Sequence, residues 1–230
     1  MIKPKRKLDS GFTIVELVAV LTISMIIFLA MYIVLSMWSL RFQQLSKIAR
    51  LHDQAYDCIM QIKHGAVIKQ DNNQQRQFIG LFNASSMSMY GNSATYQTIT
   101  GGYVSGYTGI KFKPPMNHTT RSAWDEVIIA RDGDKVMYDG TIYGIDANES
   151  NNLPLFPSEI SGNDDDMFVE GLIFTTVGEL NTNEDDLKVV RVILKAGINL
   201  SEGHPDMFQP YPDPYFVEYE TIIAIEQGAQ

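Results

Sequence analysis

Residues 17–40 read LVAVLTISMIIFLAMYIVLSMWSL, an uncharged and mostly apolar run. As a helix, these 24 residues extend ~36 Å at ~1.5 Å per residue, enough to cross a ~30 Å hydrocarbon core. The run is too long for the apolar stretch of a secretory signal, and no A-x-A-like cleavage site follows it before Arg41. Tyr32 and Trp38 are amphipathic, and Trp38 suits the far membrane interface. Lys3, Lys5, Arg6 and Lys7 precede the run, whereas Arg41, Lys47 and Arg50 beyond it are sparser. The positive-inside rule therefore predicts a single membrane pass, with the N-terminus cytoplasmic and the body outside.

Hydropathy alone predicts a plain signal anchor. Glu16 argues against it, because an ionised carboxylate in a membrane costs several kcal/mol unless a partner neutralises it. Gly11, Phe12, Thr13, Ile14 and Val15 lie directly before it. A cut between Gly11 and Phe12 creates an α-amino group that can pair with Glu16 of a neighbouring chain. Each copy then offers one buried cation and one buried anion, and the helices associate in a staggered register.

A short basic leader followed by GFTIVEL and an apolar helix resembles the prepilin signal of type IV pilins and type II secretion pseudopilins. The resemblance implies cleavage after Gly11 by a membrane prepilin peptidase, N-methylation of Phe12 and assembly through Glu16. It also implies other pilins or pseudopilins and an inner-membrane assembly platform as partners. It divides the chain into a leader (1–11), a transmembrane or filament-core helix (12–40), an amphipathic continuation (41–70) and a β-rich periplasmic head (71–230). Many major pilins carry a helix-bending proline in the apolar span, but here none occurs between Pro4 and Pro114. The straight helix and large head favour a minor pilin or minor pseudopilin. In the head, residues 169–174 and 190–194 (VRVIL) resemble paired strands of J-type pseudopilins.

Past the membrane span, Leu45, Ile48, Ala55, Ile59, Ile62 and Ala66 recur at helical spacing, opposite Lys47, Arg50, Asp53, Asp57 and Lys63. This amphipathic half should pack its apolar face on the head, with Gly65 as a mild weakener and 70–75 as the exit loop. Short strands are predicted at 77–82, 94–100, 107–113, 127–130, 135–138, 141–145, 168–176, 187–196 and 216–226. Asp132-Gly133 and Asp139-Gly140 suit hairpin turns. Residues 85–106, 148–166 and 203–214 read as largely irregular, the last because of Pro205, Pro210, Pro212 and Pro214. The expected fold class is α+β, a long N-terminal helix packed on a largely antiparallel sheet.

The formal net charge is −9, yet residues 1–11 alone carry +3, so the rest carries −12. An acidic body is a poor partner for nucleic acid, which needs clustered Lys and Arg; it argues mildly against a DNA-uptake pilus. A single cysteine, Cys58, excludes an intramolecular disulfide and reads as a packing residue. His52, His64, His118 and His204 lack ligand spacing, and no G-x-S-x-G or phosphate-binding glycine loop occurs. No cofactor is expected. Asp164, Asp165 and Asp166 are the foremost calcium candidates, followed by residues 184–186, although no EF-hand loop is present. These features point to a structural subunit rather than an enzyme. The alternative is a membrane-tethered enzyme or ligand-binding head on a pilin-like anchor.

Overall fold

A computed structural model of the protein describes residues 13–69, 75–113, 126–140, 152–158, 166–177, 187–200 and 211–225. Helix α1, Ile14–His64, runs unbroken for 51 residues. No glycine or proline lies between 12 and 64 to interrupt its hydrogen-bond ladder. It stops at Gly65, whose N–H donates to the Gln61 carbonyl and whose φ is +74°. That left-handed conformation favours glycine, and a Cβ there would lie only 2.1 Å from the Phe78 carbonyl oxygen. Gly65 thus ends the helix and lets the next hairpin close over it.

The two halves of α1 meet different surroundings. From Ile14 to Gln43 almost every side chain is exposed, including Trp38 and Phe42, each 74% accessible. From Gln44 on, one stripe is buried: Gln44, Ile48, Leu51, Gln54, Ala55, Cys58, Ile59 and Ile62. Spacings of three and four place these residues on one helical face.

Ten strands follow. β1 (Gly65–Lys69) and β2 (Gln75–Ile79) form a small antiparallel hairpin, followed by a 3-10 turn at Leu81–Asn83. The main sheet contains β3 (Ser86–Gln97), β4 (Tyr103–Lys113), β5 (Val127–Asp132), β6 (Lys135–Asp139), β7 (Asn152–Phe156), β8 (Met167–Thr176), β9 (Val189–Ile198) and β10 (Tyr215–Ala224). Its order is β10-β9-β8-β4-β5-β6-β7, with β3 also paired to β4, and every pairing is antiparallel. Both terminal strands, β10 and β7, touch α1, so the sheet curls around the upper half of the helix. The core lies between them. Phe78, Phe112, Tyr138, Phe156 and Phe174 are its largest fully buried side chains, and the Phe78 and Tyr138 rings are 4.8 Å apart.

The central strands are covered on their second face too. The distal part of the β3–β4 hairpin turns over β8, β9 and β10 after a bulge between Tyr90 and Ser93. Its tip is held by the Ile99 N–H donating to Glu218 Oε2 (3.0 Å) and by Lys195 Nζ donating to the Gln97 carbonyl (3.1 Å). At Gly106 a Cβ would meet Ile173, the Phe174 carbonyl and Thr175 within 2.6 Å, so glycine permits this close approach.

The α+β arrangement agrees with the sequence reading, while several boundaries differ. The helix ends six residues before 70, and Ala66 packs against the core from β1 rather than from the helix. Leu45 is 49% exposed, whereas Leu51 joins the buried stripe. Within the stretch read as irregular, 152–156 is strand β7. Pro154 is tolerated there because β7 is the edge of the sheet among the described residues. In 85–106, β3 begins eight residues earlier than the strand predicted at 94–100. The turn at Gly133 joins β5 and β6 as expected, with Asp132 paired to Lys135. The strand expected at 141–145 lies outside the described residues.

Replacing Leu51 with Ala should cost ~2–5 kcal/mol of head stability, through lost burial and the cavity left behind. Leu35→Ala, in the exposed half, should change it by less than ~0.5 kcal/mol. Denaturant unfolding of the detergent-solubilised full chain, followed by tryptophan and far-UV signals, checks both. Complete burial, together with the nearby Asp57 carboxylate, pushes the Cys58 thiol well above its ordinary range. Iodoacetamide at pH 8 should therefore leave Cys58 unmodified in the folded protein and alkylate it once denatured.

Candidate processing and assembly site

The described chain begins one residue beyond the expected cut. Thr13 is extended (φ −73°, ψ 152°) and caps α1. Its hydroxyl accepts the Glu16 N–H at 3.3 Å. The Glu16 carboxylate turns back, and its Oε2 accepts both the Thr13 N–H and the Thr13 hydroxyl, each at 2.9 Å. This reciprocal capping box satisfies two backbone donors that a helix start otherwise leaves unpaired. A carboxylate in the first turn also sits at the positive end of the helix dipole.

The chemical consequence is specific. Glu16 is exposed, on a helix whose next charged residue is Arg41. Its oxygen is engaged by the backbone at the N-terminal tip rather than pointing along the helix. The Thr13 N–H that Glu16 contacts belongs to the residue that follows Phe12 in the chain. Gly11 and Phe12 themselves lie outside the described residues. Thr13 is the member of the site that sequence reading missed. Its signal was legible as T-x-x-E ahead of an apolar run.

The other candidates are scattered. Asp166 Oδ2 is 2.6 Å from Lys47 Nζ, while Asp164, Asp165 and 184–186 lie outside the described residues. Among the described residues, no three His, Cys, Asp or Glu side chains converge as a metal site. His52 Nδ1 is 2.9 Å from the Tyr219 hydroxyl, and the His64 ring packs on Phe82 at 5.6 Å. His118 and His204 lie outside the described residues. Polar groups on the outer face of the sheet pair with one another. Arg191 binds Glu220 through two hydrogen bonds (2.8 and 2.7 Å), and Lys195 lies 3.3 Å from Glu170 and over the Phe216 ring.

The family described as prokaryotic N-terminal methylation motif matches residues 6–32. That segment contains Gly11, Phe12, Thr13, Glu16 and much of the apolar run, and the head lies outside it. No curated protein and no solved structure matches the chain. The motif indicates a type IV pilin-like substrate of prepilin peptidase, and the one long apolar helix among the described residues is consistent with membrane anchoring.

Removal of the Thr13 side chain tests the cap. Thr13→Ala should weaken the first turn by ~0.5–2 kcal/mol, and Thr13→Ser should preserve it. Hydrogen exchange at the amides of residues 14–17 in detergent micelles is the measurement; faster exchange in the alanine variant alone is expected.

Proposed function

We propose that this chain is a minor pilin or pseudopilin, cut after Gly11 and carried into a filament by α1. The observation that most supports this reading is the sole acid of the exposed half-helix, held at the helix tip beside the expected cut. An anchor that only tethered a head would be better served by an apolar residue there. Cleavage by prepilin peptidase frees an amine at Phe12, which the peptidase methylates. In the membrane, Glu16 keeps its charge capped by Thr13. When subunits stack, the Phe12 amine of a neighbour supplies a full positive charge, and Glu16 exchanges a dipolar partner for an ionic one.

The basic leader supports a cytoplasmic N-terminus and a head outside the inner membrane. The partners are then the peptidase, other pilins or pseudopilins and an inner-membrane assembly platform. A minor position is supported by the proline-free helix and the large head. Kinship with J-type pseudopilins is supported by the VRVIL segment, which lies in β9 beside β8, with Leu172 opposite Leu194 and Phe174 opposite Val192. The function is structural: binding energy is spent on helix association rather than on a reaction.

N-terminal sequencing and mass spectrometry of the membrane form, in cells with active peptidase, should find a methylated Phe12 start. Protein that still begins at Met1 would refute the reading. Glu16→Gln should leave cleavage intact and sharply reduce incorporation into sheared filaments.

A further inference from the structure

Lys47 marks the place where α1 leaves the head. Towards the membrane, Arg41, Phe42, Gln43, Leu45 and Ser46 are exposed, and Gln44 is the last buried side chain. Lys47 Nζ reaches across to Asp166 Oδ2 at 2.6 Å, with side-chain exposures of 25% and 30%. Asp166 is itself firmly placed. Its carbonyl accepts the Asn199 N–H at 3.0 Å, and Met167, which follows it, opens β8 opposite Ile198 of β9. Ile198 in turn faces Tyr215 of β10. The acid is therefore fixed to a corner shared by three strands. Further from the membrane, Gln54 Oε1 accepts the Ser158 N–H at 3.3 Å, and His52 meets the Tyr219 hydroxyl. Among the described residues, Lys47–Asp166 is the polar tie nearest the free half of the helix.

Its position gives it leverage. From Lys47 to Ile14 the helix extends ~50 Å at ~1.5 Å per residue, so a tilt of ~10° at the junction displaces the tip by ~9 Å. That exceeds the ~5.4 Å pitch of one turn, the scale on which packed helices change register. Apolar contacts such as those of Ile48 and Leu51 are non-directional and tolerate rolling. A short charge-assisted contact fixes direction as well as distance. We infer that Lys47 and Asp166 are a positioning pair. They set the angle between the head and the free helix, and so determine which neighbouring chain Glu16 reaches when heads are stacked. This rests on the filament reading above and adds to it a determinant of register within the subunit.

The test uses the full-length chain, expressed in cells that carry the assembly machinery. Lys47→Asp, Asp166→Lys and the double charge swap are compared with wild type and with Glu16→Gln. Three quantities are read: the processed N-terminus, the fraction in sheared filaments, and the unfolding midpoint of detergent-purified protein. Each single reversal should lower the filament fraction about tenfold, as expected when like charges face each other at a register-setting contact. Processing and the unfolding midpoint should stay close to wild type, and the swap should restore incorporation. Single variants that incorporate like wild type while Glu16→Gln does not would overturn the pair's role and leave the filament reading standing. A swap that fails to rescue, or unfolding midpoints that fall in step with incorporation, would also overturn it. Wild-type protein that never enters filaments would overturn both proposals.

Discussion

Ile48, Leu51, Ala55, Cys58, Ile59 and Ile62 form the stripe through which one rigid rod is joined to a folded head. Each is at most 9% exposed, and burying a large aliphatic side chain is worth ~1.5–3 kcal/mol. The stripe faces β9 and β10 on one side and reaches β7 on the other, so the same six residues also hold the sheet in its curl. The exposed half is held to the head through this attachment, because it has no partner of its own within the described chain. Absence of glycine and proline from 12 to 64 makes the attachment mechanical: the orientation of the upper half is passed on to the lower.

Glu16 illustrates how one residue answers two requirements. At a helix start, a carboxylate is favourable, since it accepts backbone N–H groups and sits at the positive end of the dipole. Within an apolar span, the same carboxylate is costly. The capping box with Thr13 reconciles the two in a single chain; in the assembly proposed above, a neighbour's amine would do so more completely. The third helical position is the one from which a carboxylate reaches back to the N-cap, and here Oε2 makes both contacts.

Much of this was legible in the residues. The apolar run, the leader, Gly11, Phe12 and Glu16 are contiguous, and contiguous features need no tertiary information to be read. Ile48, Ala55, Ile59 and Ile62 were found by spacing for the same reason. Leu45 misled because it fits the apolar period, yet it lies beyond the rim of the head. The end of the helix was misplaced because Gly65 is a weak breaker on propensity alone; the nearby Phe78 carbonyl makes it decisive. Strand β7 was hidden by Asn-rich flanks and Pro154, features an edge position accommodates. The first eight residues of β3 went unread because Ser86, Ser88, Gly91, Asn92 and Ser93 are turn-favouring types that interrupt the apolar pattern. The tie between Lys47 and Asp166 spans 119 residues and no local pattern encodes it.

That separation along the chain has a consequence for biosynthesis. The strands most in contact with α1 are β9 and β10, the last two described, whereas the helical stripe is complete by Ile62. About 150 residues separate Ile62 from the start of β10, on the order of ten seconds or more of translation at ~5–20 residues per second. Until β10 arrives the stripe is covered only in part, by β1, the 3-10 turn, β7 and β9. Any factor that shields nascent apolar surface has a defined target, this stripe, and a defined release point, the arrival of β10. A chain that stops ahead of Tyr215 lacks the strand that contacts α1 most, so the last described strand completes the cover of the first element made.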